Sequence, residues 1–452
     1  DDAGVAPTLP TPKNAAGEGL VKRGAAAHSP RETAAGARAG RGMERVKKAA
    51  EWGKRSLRIG KQRNEEEEED GGVAARPRRG KHGSDGPTRL VITLDGGGVR
   101  GITTLRFLVR VEDALRESLG SGFRLREVVD LWCGTSAGAM IAAAFARTSV
   151  AAHELEGVFD QRMLSVFNKS LCDRIFGRTQ AFSVYDGVGK REMIEEILND
   201  PEEKFFEPEQ PKLMVTAFDL TDDCPVVFKS WSDKPRNREA TLAGAIDASS
   251  SLPVFFPSTE MNGHKYIDGG ILSANPSDMG FTEAVKLFPG EKLQILSIGC
   301  GENPHHGFDT KSHSYFAWIP DGSLAKLILD TQLTVSHGLT QRLANLHDHK
   351  YLRVNSLPFD EDLPSADETG EKDMLRALGD AWFEEFGQET VRVIEDYVNR
   401  VGLELPAERV DEAEDVLDPL DDEEVLDQGV GDVKPRFDSV EDELVALEAG
   451  TA

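Results

Sequence analysis

A chain of 452 residues with 39% apolar side chains has room for one large core with tails, or for two or three ordinary domains. Its charge is unevenly spread: residues 1–88 hold 18 Lys and Arg against 13 Asp and Glu, and the remaining 364 hold 35 against 66. A body this acidic excludes nucleic acid as a partner, and no apolar run reaches the roughly 18–20 residues of a membrane-spanning helix.

Residues 1 to about 40 are rich in Ala, Gly, Pro and Arg and poor in large apolar side chains, so they cannot offset their ordering entropy and read as disordered. Between Met43 and Ile59 one basic helix is expected. Met43, Val46, Ala49, Ala50 and Leu57 share one face, and Lys47, Lys48, Lys54, Arg55 and Arg58 share the other. Such a face suits contact with anionic lipid head groups, although a solvated tail has the same pattern. The acidic run Glu65–Asp70 and the Gly, Pro and Arg that follow it read as a linker.

Structure begins near Arg89. The run Arg89–Leu94 reads as a buried strand ending in Asp95-Gly96-Gly97-Gly98-Val99-Arg100-Gly101, and a helix is expected from about Thr103 to Leu119. A strand, a glycine-rich turn and a helix together offer bare backbone N–H groups to an anion. The spacing Gly96-x-Gly98-x-x-Gly101 also fits a dinucleotide fingerprint, but no acidic residue follows at the end of a second strand, as that fingerprint requires. An oxyanion hole and a simple tight turn are the readings left.

Next, Val128-Val129-Asp130-Leu131 reads as a second buried strand, followed by Gly134-Thr135-Ser136-Ala137-Gly138 and a small-residue helix over 137–147. This is the G-x-S-x-G spacing of a nucleophile elbow, which turns a serine out at a helix N-terminus. A helix at 153–163 and an irregular stretch to about 189 follow, the latter carrying Phe167, Phe176 and Phe182 as core or as the wall of a cleft. Strands are expected at 212–218, 226–228, 265–267 and 293–298, and helices at 243–251, 323–346 and 373–401. The strand at 265–267 leads into Asp268-Gly269-Gly270. The alternation predicts an α/β fold, a mostly parallel sheet with helices on both faces, flanked by disordered tails. Asp95, Ser136 and Asp268 each follow a strand and are expected at one edge of that sheet.

A serine needs a base. His305, His306, His313 and His337 lie downstream in the order of a Ser-Asp-His hydrolase, and Asp268 is the other candidate, provided burial raises its pKa from roughly 3.9. Cys133, Cys172, Cys224 and Cys300 form no C-x-x-C pair, so neither a disulfide framework nor a zinc site is expected and a reducing compartment is. From residue 404 onward 18 acidic residues face three basic ones, which reads as a solvated acidic tail without a calcium loop.

The three blocks Asp95–Gly101, Gly134–Gly138 and Asp268–Gly270, with the looser Ala248–Pro253 running into Phe255-Phe256-Pro257, resemble the patatin-like phospholipase family over about residues 89–300. The resemblance implies a calcium-independent lipid acyl hydrolase, a phospholipase A-type enzyme cleaving acyl esters of glycerolipids through a Ser–Asp dyad. It needs no cofactor and no metal. Ser136 is then the nucleophile, Asp268 the base, and the amides of Gly97 and Gly98 the oxyanion hole. Asp95, Gly96, Arg100, Gly101, Gly134, Gly138, Gly269 and Gly270 support these motifs. The expected partner is a membrane or lipid-aggregate surface presenting the substrate, in the cytoplasm or at a membrane's periphery. The expected organisation is 1–88 as a disordered basic region, 89–360 as the catalytic domain, 361–403 as a helical extension and 404–452 as an acidic tail. The alternatives are a Ser-His-Asp esterase and a membrane-associated scaffold without turnover.

Overall fold

The computed structural model describes residues 88–167, 183–209, 211–302, 323–356 and 363–401. The basic helix expected at 43–59, Phe176, Phe182, His305, His306, His313, Cys172 and the acidic tail lie outside the described residues.

The chain enters on β1 (Thr88–Leu94), whose residues from Leu90 onward are all buried, the unbroken apolar pattern of a central parallel strand. The glycine loop leads through a short 3-10 turn at Gly98–Arg100 into α1 (Gly101–Leu119). Then come β2 (Leu131–Gly134), α2 (Ala137–Arg147) and α3 (Ala152–Val166). All eleven residues of α2 are buried, five of them alanines after the first, so this helix lies close against the sheet. After α4 (Val188–Ile197), β3 (Lys212–Asp219) and β4 (Cys224–Lys229) form an antiparallel pair. The short α5 (Pro235–Glu239) precedes α6 (Leu242–Ser249), whose first turn is capped by the Thr241 hydroxyl accepting from Gly244 N–H.

The hairpin β5 (Thr259–Met261) and β6 (His264–Asp268) turns at Asn262-Gly263, both with positive φ (53° and 78°), the conformation an Asn-Gly hairpin turn demands. The remaining elements are α7 (Gly270–Ser273), α8 (Ser277–Leu287), β7 (Lys292–Ile298), α9 (Ser323–Leu346), β8 (Lys350–Val354) and α10 (Lys372–Val401).

The strands form one eight-stranded sheet in the order β5-β6-β3-β2-β1-β7-β8, with β4 also on β3. The pairs β1–β2, β1–β7, β2–β3 and β7–β8 are parallel, whereas β6 and β5 enter antiparallel at one end. Alternate residues of each strand face opposite layers. Leu90, Ile92, Leu94 and Trp132 pack on the face covered by α1, α2 and α10, where Trp132 stacks on Phe145 at 5.1 Å. Val91, Leu131, Cys133 and Met214 pack on the face covered by α8, through Phe281 and Ala284. The expected fold class, a mostly parallel sheet with helices on both faces, is the one observed.

Several local expectations are corrected. The second strand starts at Leu131, not Val128. The Asp130 carboxylate accepts from Leu90 N–H (2.8 Å), Arg89 (2.9 Å) and Tyr397 O–H (2.8 Å), which fixes the chain just before the strand and starts its pairing with β1 at Val91–Leu131. The stretch expected to stay irregular to about 189 already turns helical at Val188, after the left-handed Gly187 (φ 79°). Strand β8 was not expected at all. Helix α10 falls in the range expected as an extension, yet Leu375, Leu378 and Trp382 belong to the core shared with α1. Thr103 Oγ1 donates to Leu375 C=O at 3.0 Å, and Arg106 and Arg110 both reach Asp380 at 2.9 Å.

Candidate active site

Strand β2 delivers Gly134 and the chain then reverses sharply into α2, which places Ser136 at φ 55°, ψ −123°. A non-glycine residue pays for positive φ only where the surrounding structure enforces it. Here α2 crosses so close to β1 that a Cβ on Gly138 would stand 2.4 Å from the Leu94 carbonyl oxygen, so no other residue fits there. The Ser136 amide is held in turn by the Ser249 hydroxyl at 3.0 Å.

Asp268 arrives from the opposite direction. Along β3, Gly134 of the parallel β2 stands opposite Val215, and Asp268 of the antiparallel β6 stands opposite Ala217, so the two strand ends are two residues apart. This brings Ser136 Oγ to 2.7 Å from Asp268 Oδ2, with the hydroxyl donating. The other carboxylate oxygen accepts from Gly270 N–H at 2.6 Å. The end of α6 braces both residues: Ser249 C=O accepts from Gly269 N–H at 3.1 Å and Ser251 C=O from Asp268 N–H at 3.0 Å. Asp268 is 2% exposed, and burial lifts its carboxyl to about 6, against the opposing pull of the Gly270 and Ser136 hydrogen bonds and the Lys190 charge. A carboxylate so placed can accept a proton near neutrality.

The glycine loop is fixed at both ends. Asp95 N–H donates to Ile298 C=O (3.1 Å), Gly96 N–H to Ala274 C=O (2.9 Å) and Val99 N–H to Ala366 C=O (2.8 Å). Between them the amides of Gly97 and Gly98 donate to nothing among the described residues. Gly98 has φ 59°, and a Cβ there would meet Ala366 C=O at 2.3 Å. Gly96 lies against the elbow, where an added Cβ would stand 3.2 Å from Ser136 Cβ.

Beneath the loop, Arg353 of β8 grips both oxygens of Asp95, at 2.9 and 2.5 Å, and reaches Ser297 Oγ at 2.8 Å. Burial pushes the Asp95 carboxyl up, but a guanidinium on both its oxygens keeps the pair ionised. Arg100 folds back toward Gly97 C=O, with Nε at 3.5 Å. His337 is turned to Tyr351 O–H at 3.0 Å, and burial lowers its pKa.

Two residues of this region, Arg353 and Lys190, carried no signal in the sequence, and Ser249 lay in the looser Ala248–Pro253 block without a role of its own. An arginine inside Tyr351-Leu352-Arg353-Val354 was the nearest thing to a clue, since a charge within an apolar strand requires a buried partner. Among the described residues one group, Asp219, Asp222 and Cys224, has spacing close enough for a metal, and Arg236 already reaches both carboxylates at 3.0 and 2.8 Å. None of the described helices is long and apolar enough to cross a membrane.

The architecture is that of an α/β domain with a serine turned out at the carboxyl end of a central strand. Residues 92–280 match the family model described as Patatin-like phospholipase, and over those residues the chain is similar to that family. Its relatives include Patatin-like protein 2 of Oryza sativa subsp. indica, 26% identical over 53% of this chain and 68% of that protein. The cGAMP-activated phospholipase of Vibrio cholerae is 27% identical over 46% of this chain and 63% of that protein. The protein of the same name in Pseudomonas aeruginosa is 28% identical over 57% of this chain and 77% of that protein.

Proposed function

We propose that this chain is a lipid acyl hydrolase that cleaves acyl esters of glycerolipids at a lipid surface, without calcium. The observation that carries the reading is the 2.7 Å hydrogen bond from Ser136 Oγ to a buried Asp268 carboxylate, in a domain that matches the model described as Patatin-like phospholipase. Ser136 Oγ attacks the ester carbonyl carbon while Asp268 takes its proton. The Gly97 and Gly98 amides face the oxyanion of the tetrahedral intermediate, an interaction worth roughly a hundred- to a thousandfold per donor. Asp268 returns the proton to the departing glycerol oxygen, leaving the acyl group on Ser136. Water then gives a proton to Asp268, attacks the acyl-enzyme and releases the fatty acid, and Ser136 Oγ recovers its proton.

The test is fatty-acid release from mixed phospholipid vesicles in the presence of a calcium chelator. The parent chain releases fatty acid; Ser136→Ala and Asp268→Asn lose about a hundred- to ten-thousandfold of that rate. Full activity of Asp268→Asn would return the base to a histidine, and full activity of Ser136→Ala would end the reading altogether.

A further inference from the structure

Lys190, on α4, is 2% exposed. A buried ammonium is costly unless it is paired and fully hydrogen-bonded. Its Nζ donates to Asp247 C=O at 3.1 Å and to Ser251 Oγ at 2.7 Å, stands 2.9 Å from Asp247 Oδ1, and lies 4.9 Å from the centre of the Phe256 ring. The cluster is closed by Thr259, whose hydroxyl reaches Asp247 Oδ2 at 2.6 Å and Ser251 Oγ at 2.8 Å. Packing alone gives no reason for a cation here, because an apolar side chain of the same length would fill the space without needing Asp247.

What singles the lysine out is its neighbour. Ser251, which receives Nζ through its hydroxyl, receives the Asp268 amide through its carbonyl at 3.0 Å. One residue therefore links the ammonium to the backbone of the carboxylate bonded to Ser136. We infer that Lys190 is a positioning residue for Asp268: braced by Asp247 and Ser251, it seats that carboxylate and supplies the positive field that keeps it ionised until it receives the Ser136 proton. This rests on the reading of Ser136 and Asp268 given above.

The surroundings leave Lys190 as the charged group acting on that carboxyl. From the elbow it meets the neutral Ser136 hydroxyl and from the start of α7 the neutral Gly270 amide, and along β3 the residue paired with Asp268 is the uncharged Ala217. Lys190 itself is faced by Asp247 from α6, Asp268 from β6 and Arg191 from its own helix. Burial lowers the lysine's own pKa, and the two carboxylates counter that.

The experiment follows kcat/KM for fatty-acid release by the full chain from about pH 5 to 9. The parent's acidic limb lies near the Asp268 value of about 6. In Lys190→Met the limb moves upward by about one pH unit, the size expected when an opposite charge is withdrawn, while activity at high pH is largely kept. A limb that stays in place, with or without a uniform loss of rate, overturns the proposal and leaves Lys190 a structural residue. Should that variant not fold because Asp247 is left unpaired, the double variant Lys190→Met/Asp247→Leu removes both charges together. The Asp247 charge opposes the lysine's field, so a smaller upward movement is expected there and its absence has the same meaning. Ser136→Ala, assayed alongside, separates the two claims: if it is inactive and the limb is unmoved, the positioning role alone fails, whereas if it retains full activity, both fail.

Discussion

The tripeptide Asp-Gly-Gly occurs at the end of two strands, as Asp95-Gly96-Gly97 after β1 and as Asp268-Gly269-Gly270 after β6. Both aspartates are 2% exposed. Their surroundings differ in one respect that decides what each can do. Asp95 is met on both oxygens by a guanidinium and is held as a fixed anion. Asp268 is met by one hydroxyl and one amide, with its cation one residue removed. A carboxylate saturated by arginine has no use for a proton. One that burial has lifted to about 6, bonded to a serine, can exchange protons near neutrality. The first aspartate secures the loop, and the second is free for chemistry.

Substitution separates the two most sharply. The loss of turnover in Asp268→Asn is the largest expected effect, and the fold should survive it, because the amide keeps the shape and no charge is stranded. Asp95→Ala should do the reverse. It leaves the Arg353 guanidinium, with its side chain 8% exposed, without its partner, at a cost of about 3–5 kcal/mol. Denaturant unfolding measures this, and the double variant Asp95→Leu/Arg353→Met should recover most of the loss. Equal stability of Asp95→Ala and the parent would erase the distinction.

The pH dependence of stability sharpens the contrast further. The Asp268 carboxyl is raised from 3.8 to about 6, so the folded chain holds this proton more tightly than the unfolded chain. Its contribution is therefore most favourable below about pH 4 and is lost as pH rises through 6, up to about 3 kcal/mol for a two-unit shift. Asp268→Asn escapes that loss. At pH 8 it should unfold later than the parent by about 1–3 kcal/mol, with the gap closing toward pH 4; a variant less stable than the parent at pH 8 would refute the role given to burial.

The smallest expected effect concerns the loop that Asp95 secures. Gly98→Ala must place a Cβ at φ 59° against Ala366 C=O, which costs about 1–2 kcal/mol in backbone conformation alone. Because it tilts an amide proposed to face the oxyanion, it should lower kcat more than it raises KM. An unchanged kcat with a higher KM would assign the loop to substrate binding instead.

The elements around the glycine loop and the elbow were legible in the sequence because their requirements are local. Apolar runs of strand length, glycines where a Cβ would collide with β1, and a train of alanines for a close-packed helix mark β1, β2 and α2 between Thr88 and Arg147. Only the start of β2 was misplaced, because Asp130 is fixed by Leu90 N–H and by Tyr397, 267 positions away in the chain. Helix α4 was missed as a whole, its start lying in a stretch that looked irregular, and β8 because five residues of mixed polarity carry no period.

By itself, then, the sequence determined the βαβ order, the mostly parallel sheet and the identity of the loops at its carboxyl edge, since strand periodicity and glycine sterics act over a few residues. Only the tertiary structure decided which of two identical tripeptides is neutralised by an arginine and which is left to a serine. That outcome depends on β8 returning beside β7 and on β6 entering antiparallel along β3, and electrostatic environment is a property of what the fold brings near, which no local pattern records.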